Sequence, residues 1–485
     1  MTMQAMAPLM FAGLICIMLI GFPVAFSLAA LGLGFGYLAI YLGYFPSGFL
    51  ANIPLAIFNT LSNDLLLAIP FFTFMGAILE RCGLAEDLLE GTGQLFGPVP
   101  GGLAYAVIVV GAILGAITGT VAASVIAMGV IALPIMLRYG YHPRIATGVI
   151  AASGTITQLI PPSLVLVVLA DQLGRSVGDM YKGAIGPSIV QILIFMAFIA
   201  LVSLFRPKLV PPLPMEARTL HGWALWRRVL WGMVPSIVLI FLVLGTIFMG
   251  IATPTEAGAL GAIGAIVLAA LHRRLTWPLV RQAMESTMRL TAMVVFIPIG
   301  SRIFALVFQG VDGNVWIEHM LAGLPGGQTG FLIAVNVFVF FLAFFLDFFE
   351  IAFIIIPLLA PVADKLGIDL IWFGVLLCVN IQTSFMHPPF GFALFYLRGI
   401  ASKDVKSSDI YWGALPWVGL QIIMVAIVIF WPGLVSMFLD KPIQFDPDKV
   451  NIQIEQNDYG KAPNAGDAFG VPGKSEEPDP ARGFK

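Results

Sequence analysis

The chain has 485 residues, 59% of them hydrophobic and only 11% charged, with a mean hydropathy of +0.96 and a formal net charge of −2. That composition describes a polytopic, all-α membrane protein, excludes a soluble enzyme and offers nucleic acid no basic surface. Cys16, Cys82 and Cys378 are an odd, scattered set in or beside apolar segments, so they build neither a disulfide framework nor a metal cluster and read as packing residues.

No Lys or Arg precedes Arg81, so the apolar run from Met6 to Ile20 lacks the basic flank of a cleaved signal peptide and is expected to stay on the protein. It opens a helical hairpin with spans at about 6–21 and 24–43, turned by Gly21-Phe22-Pro23. A span at about 64–80 follows, then a partly acidic amphipathic stretch with Arg81, Glu86, Asp87 and Glu90 that is expected to lie along the membrane interface. The region 101–136 exceeds the length of one crossing, about 20 residues, and carries Thr118-Gly119-Thr120 at its middle, which predicts a re-entrant hairpin. Next comes a polar, proline-broken segment inside an apolar span at about 145–170, Ser153-Gly154-Thr155-Ile156-Thr157-Gln158-Leu159-Ile160-Pro161-Pro162-Ser163, and then a closing span near 187–205.

The plan then repeats. A second helical pair at 232–271 breaks at Gly250-Ile251-Ala252-Thr253-Pro254, so that Pro254 answers Pro23 at an offset of 254 − 23 = 231. Trp277 to Arg289 answers the first amphipathic stretch, and a span at 290–309 follows it. The hairpin region 327–360 carries Leu346-Asp347-Phe348-Phe349-Glu350 at its middle. A second broken helix at about 371–397 contains Asn380-Ile381-Gln382-Thr383-Ser384-Phe385-Met386-His387-Pro388-Pro389-Phe390, and a span at 411–431 closes the half. Pro388 answers Pro161 at an offset of 388 − 161 = 227, so two independent landmarks give nearly one repeat length. The chain divides into a first repeat at 1–205, a linker at 206–230, a second repeat at 231–435 and a Pro-, Gly-, Asp- and Asn-rich tail at 436–485 that is expected to be disordered. Each repeat has five transmembrane helices and one hairpin that does not cross; an odd number of crossings inverts the second repeat relative to the first.

Cytoplasmic loops collect Lys and Arg, and the linker holds Arg206, Lys208, Arg218, Arg227 and Arg228. With the linker inside, the other inside loops contain Arg81, then Arg138 and Arg144, then Arg273 and Arg274, then Arg398, Lys403 and Lys406, all basic. The outside loops at 44–63, 310–326 and 361–370 are neutral or acidic. Both termini are then expected in the periplasm.

A helix unwound at Pro-Pro survives at membrane depth only where protein or a wet cavity surrounds it. Two such breaks at matching positions, Pro161-Pro162 and Pro388-Pro389, mark a transport site. Asp347 and Glu350 cannot face lipid, and a hairpin tip opposite Asn380, Gln382, Thr383 and Ser384 gathers oxygen donors suited to a small cation. The Thr118-Gly119-Thr120 stretch reads either as a binding tip or as close helix packing. Arg302 either neutralises a substrate carboxylate or pairs with Asp347, Glu350 or Glu256; His387 is either a proton carrier or a hydrogen-bonded core residue. Half-helix N-termini at the breaks favour a carboxylate, with Thr120, Ser163, Thr383 and Ser384 as candidate hydroxyl donors. Neither a His-Glu-x-x-His motif nor a phosphate-binding loop occurs. The polar residues gather at two breaks and two tips rather than along a lining, which favours a carrier over a channel.

Gly154-Thr155 followed by Leu159-Ile160-Pro161-Pro162-Ser163, with Pro254-Thr255-Glu256-Ala257, Pro388-Pro389-Phe390-Gly391 and the small-residue hairpin 115–124, resembles the large membrane subunit (the DctM-like subunit) of tripartite ATP-independent periplasmic (TRAP) transporters over about residues 5–435. The resemblance implies an elevator-type secondary transporter of the ion-transporter-superfamily kind, driven by sodium, in the bacterial inner membrane. It also implies two partners, a small four-helix membrane subunit and a periplasmic substrate-binding protein, and an organic acid as cargo. It places sodium sites at Thr118, Gly119, Ser153, Gly154 and Thr155 in one half and at Asp347, Asn380, Gln382 and Thr383 in the other. Gln158 and the run Gln382-Thr383-Ser384-Phe385-Met386-His387 depart from the usual pattern and resemble a subgroup associated with 2-oxo and hydroxy acids. Gln158, Ser384, His387 and Arg302 are candidate substrate residues beside Thr120 and Ser163. The short outside loops leave no domain to capture a dilute ligand, so the chain is expected to be inactive alone; the alternative is a self-sufficient divalent-anion-type symporter coupled to Na+ or H+.

Overall fold

A computed structural model describes residues 2–219, 221–322, 325–344, 346–388 and 391–440. Pro389, for which the sequence suggests a helix break, and most of the tail, from 441 onward, lie outside these residues.

The first repeat consists of α1 (Met3–Ile20), α2 (Val24–Tyr41), α3 (Ile53–Leu61), α4 (Leu65–Arg81), α5 (Leu84–Phe96), α6 (Gly102–Thr118), α7 (Val121–Arg138), α8 (Pro143–Thr155), α9 (Leu164–Gln172) and α10 (Val177–Phe205). The second has α11 (Gly222–Phe248), α12 (Pro254–Leu271), α13 (Trp277–Gly310), α14 (Gly313–Ala322), α15 (Gly327–Leu342), the single turn α16 (Phe348–Glu350), α17 (Ile356–Lys365), α18 (Leu370–Ile381), α19 (Phe392–Ile400) and α20 (Ser407–Phe430). Among the described residues seven helices are long and apolar enough to cross a membrane, or eight if the bent pair through α3 and α4 is one span. Local chemistry sets the ends. Gly21 takes the left-handed conformation (φ 88°) that closes α1. Pro254 sits in the first turn of α12, where Thr253 and Glu256 cap each other reciprocally, which gives the Pro254-Thr255-Glu256 sequence a structural reason.

The packing shows the repeat directly. α2 packs on α13 as α12 packs on α4, and α8 packs on α20 as α18 packs on α10. A Cβ on Gly148 would run into the Gly413 carbonyl oxygen, and one on Gly183 would stand 3.1 Å from Ile371 and 3.5 Å from Val375 of α18. Val375 is the counterpart of Gly148 (375 − 148 = 227), and Gly413 is the counterpart of Gly183 (413 − 183 = 230). Exchanging the halves maps each pair approximately onto the other, a pseudo-two-fold relation between the repeats. Two details differ from the sequence reading. The expected outside loops contain helices α3 and α14, and Trp277 to Arg289 runs straight into the next span to form the 34-residue α13. In position along the repeat, α3 therefore matches the start of α13, and α5 matches α14.

The basic loops meet at one end of the bundle. Arg81 bonds Ser286 at 2.8 Å, Arg274 lies 3.8 Å from Glu86, and Arg228 bonds Glu90 at 2.7 Å. The linker bridges both ends of the first hairpin, with Gly101 N donating to Val210 O, Leu213 N to Gly97 O and His142 N to Leu209 O. Arg144 then reaches Asp409 at 3.1 Å. Both arms of the hairpin thus start and finish at the linker end. At the opposite end Thr255 bonds Asp64 O at 2.9 Å and Arg175 pairs with Asp364 at 3.7 Å.

The first hairpin lies on the broken helix through glycines. A Cβ on Gly111 would stand 2.7 Å from Ser153 Cβ and 2.9 Å from its carbonyl oxygen, and one on Gly115 would stand 2.9 Å from Thr157 Cα. We expect Gly111→Ala to cost about 1–3 kcal/mol and to lower the unfolding temperature in detergent. Gly34→Ala, which meets nothing within 4 Å, should leave that temperature unchanged or raise it.

Candidate functional site

At the first break α8 gives way to a 3₁₀ turn, Ile156–Gln158, and an irregular stretch with a cis bond between Pro161 and Pro162 before α9 begins. Carbonyls freed there find buried donors. Gln158 O accepts from Ser163 Oγ at 2.5 Å and Cys378 Sγ at 3.3 Å; Ser188 Oγ lies 3.1 Å from Leu159 O and 2.7 Å from Ala184 O, and Ser163 O, which accepts from Val167 N at 3.2 Å, also meets the Tyr181 hydroxyl at 3.4 Å. Ser163 Oγ also accepts from Val165 N at 3.2 Å, which caps α9. At the second break α18 passes into a 3₁₀ turn, Gln382–Met386. There Thr383 Oγ1 donates to Asn380 O at 2.7 Å, Asn380 Nδ2 to Asn336 O at 2.8 Å, and Gly391 N to His387 O at 2.7 Å.

The hairpin tips differ chemically. In the first, Gly119 takes φ 62° and turns the chain between α6 and α7. A hydroxyl chain ties this tip to the break: Thr118 Oγ1 meets Ser124 Oγ at 2.9 Å, Thr157 Oγ1 lies 3.2 Å from Ser124 Oγ, and Thr157 Oγ1 also donates to Gly154 O at 2.6 Å. In the second, Asp347 and Glu350 form a capping box, each side chain accepting from the other's backbone N–H at 2.9 Å. A wider π turn, Ile351–Ile355, follows, and its Phe353 carbonyl accepts from Ser301 of α13 at 2.6 Å.

Both tips and both breaks meet at one cavity of about 240 Å³. Gly119 to Ala122 come from the first tip, Gln158, Leu164 and Val165 from the first break, Asp347 to Phe349 from the second tip and Phe385 from the second break. Phe392 and Tyr396 of α19 complete one wall, and Leu290 and Met293 of α13 close the other. Gly119, Thr120, Gln158 and Asp347 are the sequence candidates that reach it. Ser384, Thr383, Asn380 and Gln382 are buried in the second break, as Ser153, Gly154 and Thr155 are in the first.

Arg302 lies elsewhere. It lines a separate cavity of about 80 Å³ with Asn63, Asp171 and Gln309, and among the described residues it pairs with none of the three expected acids. Glu350 and Glu256 are committed to their capping boxes. His387 is 1% exposed, its ring 4.1 Å from Phe344 and 4.4 Å from Phe340 between centroids, with neither ring nitrogen in a hydrogen bond of ordinary geometry.

Sequence reasoning missed two fully buried glutamines in α10 and α20. Gln421 Nε2 donates to Thr155 Oγ1 at 3.0 Å. Gln191 is its counterpart at the repeat offset (421 − 191 = 230), and among the described residues the Gln191 amide has no partner; neither has the amide of Gln382, which matches Thr155 in the other half (382 − 155 = 227). Aligning the halves position by position would have found them. Ser153 Oγ and Gln382 Oε1 are likewise buried without a partner, one at each break. Neutral oxygens beside unwound backbone can replace the water shell of a small monovalent cation. Among the described residues no three His, Cys, Asp or Glu side chains group together, so no transition-metal centre is formed there.

The family model described as "Tripartite ATP-independent periplasmic transporter, DctM component" matches residues 11–434. The C4-dicarboxylate TRAP transporter large permease protein DctM of Pseudomonas aeruginosa is 31% identical over 79% of this chain and 88% of its own. The isethionate TRAP transporter permease protein DctMQ of Oleidesulfovibrio alaskensis is 29% identical over 89% of this chain and 66% of its own, and the 2,3-diketo-L-gulonate TRAP transporter large permease protein YiaN of Escherichia coli is 26% identical over 89% and 99%. The crystal structure of the YdaH transporter of Alcanivorax borkumensis superimposes with a TM-score of 0.55 at 16% identity, covering 80% of this chain and 88% of that one, a likeness of fold.

Thr120 and Gln158 are the uncharged hydrogen-bonding side chains that the tips and breaks bring to the central cavity, beside Tyr396 of α19. We expect Thr120→Ala and Gln158→Ala each to raise the half-saturating concentration of the transported acid roughly fivefold, the effect of about 1 kcal/mol for one lost hydrogen bond, measured as concentration-dependent uptake.

Proposed function

The chain belongs to the DctM-component family of tripartite ATP-independent periplasmic transporters, and on that premise we propose that it carries an organic acid across the bacterial inner membrane, coupled to sodium, by an elevator motion. The observation that carries this reading is the shared cavity. Its lining comes from hairpin tips and broken helices on one side and from Leu290 and Met293 of α13 on the other. A unit made of tips and breaks that slides against α13 would expose the same site first to one face of the membrane and then to the other. The apolar wall gives it little to hold on to, which suits a sliding surface.

Sodium coupling is supported by neutral oxygens rather than by paired acids. Ser153 and Thr155 at one break, with Thr118 and Gly119 of the adjacent tip, would hold one ion; Asn380, Gln382 and Thr383, with Asp347, would hold another. The N-terminus of α9, at Ser163, turns a positive dipole end toward the break. The acid is placed between the tips by Thr120 and Gln158. With the basic end of the bundle in the cytoplasm, both termini face the periplasm, and a periplasmic binding protein delivers cargo to that face while a small membrane subunit supports the scaffold.

The test is uptake into proteoliposomes at fixed pH with an imposed sodium gradient, comparing this chain alone with the chain plus small subunit plus loaded binding protein. Saturable uptake only in the complete assembly and only with sodium is expected. Uptake indifferent to sodium would remove the coupling, and robust uptake by the chain alone would remove the tripartite reading.

A further inference from the structure

At the end of the bundle where the basic loops meet, α5, the start of α11 and the end of α12 line a third cavity, of about 580 Å³. Arg227, Arg228, His272, Arg273 and Arg274 line it against a single carboxylate, Asp87. Local acids absorb two of the arginines: Arg228 bonds Glu90 at 2.7 Å and lies 3.5 Å from Asp87, and Arg274 lies 3.8 Å from Glu86 and 3.9 Å from Asp87. Arg227 and Arg273 pair with no acid among the described residues. His272 adds a further polar group. Its Nδ1 meets Leu268 O at 2.9 Å, so Nδ1 carries the proton, while Nε2 is buried without a partner among the described residues. Arg273 also holds a positive φ of 55°, which a side chain rarely adopts.

Depth and shape select the ligand. Trp223, Trp226, Trp231 and Trp277 are 50–74% exposed around this end, and exposed tryptophans gather at the level of lipid headgroups. Trp231 lines the cavity itself and packs against His272 with ring centroids 5.8 Å apart. From there, exposed apolar side chains continue along both helices, Val234 and Val238 on α11 and Leu271, Val267 and Ile263 on α12. Unpaired guanidinium groups at headgroup depth, joined to an apolar strip one or two turns away, match an amphiphile with an anionic phosphate head and acyl tails. We propose that this cavity binds the phosphodiester headgroup of an anionic phospholipid, with Arg227 and Arg273 on the phosphate and the acyl chains along α11 and α12.

The intact chain, purified in mild detergent, is examined by native mass spectrometry and thermal unfolding with phosphatidylglycerol, phosphatidylcholine or glycerol 3-phosphate added. Phosphatidylglycerol should be retained and should raise the unfolding temperature, with phosphatidylcholine and glycerol 3-phosphate much weaker in both. Arg227→Gln with Arg273→Gln should weaken retention roughly thirtyfold, that is about 1 kcal/mol for each basic group at a membrane surface. Lys403→Gln with Lys406→Gln, an equal loss of charge in another basic loop, should change nothing. Equal retention by the Arg227/Arg273 variant overturns the proposal. Equal protection by glycerol 3-phosphate would make this a soluble-anion site instead. Loss of a co-purifying protein from the variant with lipid retention intact would make it a protein mount. Should the variant fail to fold, the comparison of the three additives on the unaltered chain still decides between lipid and no lipid.

Discussion

An unpaired peptide group in hydrocarbon costs several kcal/mol, and this chain unwinds two helices in the middle of its apolar mass. The surrounding residues are arranged to meet that cost. Ser163 and Cys378 donate to the Gln158 carbonyl released at the first break, and Ser188 and Tyr181 of α10 place hydroxyls against the Leu159 and Ser163 carbonyls, so three separate stretches of the sequence contribute. Cys378 is informative because it belongs to the second repeat, so one broken helix is completed by the other. The two breaks therefore lie side by side at the core rather than at separate faces.

The halves share a backbone plan but not a chemistry. The first tip is built from glycine and hydroxyls, so close that a Cβ at Gly76 of α4 would run into the carbonyl of Thr118. The second tip is acidic and aromatic, its carboxylates locked in a capping box and its chain widened into a π turn that Ser301 of α13 clasps. The central cavity inherits both characters: Thr120 and Gln158 from one repeat face Asp347, Phe348, Phe349 and Phe385 from the other. Inverted repeats position the site; their divergence gives it two unlike sides.

Much of this was legible in the sequence because the signals were large. The paired prolines Pro161-Pro162 and Pro388-Pro389, with apolar runs of crossing length around them, located the repeats, the hairpins and the breaks. Smaller features escaped. α3 and α14 are short helices within what composition presents as loops, and the amphipathic stretch at Trp277 merges into its span because no breaker separates them. Asp347 and Glu350 drew a functional reading from membrane depth and from their place at a hairpin tip, and the capping box that their i to i+3 spacing forms was not read. Arg302 drew one from its charge, and the fold directs it to a different cavity. Gln191 and Gln421 were hidden as single polar residues in long apolar helices, visible only once the repeat offset is applied position by position.

The central claim is that one cavity, made where both tips meet both breaks, holds the cargo. The most direct measurement is a cryo-electron microscopy structure of this chain with its partner subunits, sodium and transported acid. The account predicts density for the acid against Thr120, Gln158 and the Asp347 tip. Density for the acid in the cavity beside Arg302, Asn63 and Asp171, with the central cavity empty, would contradict it.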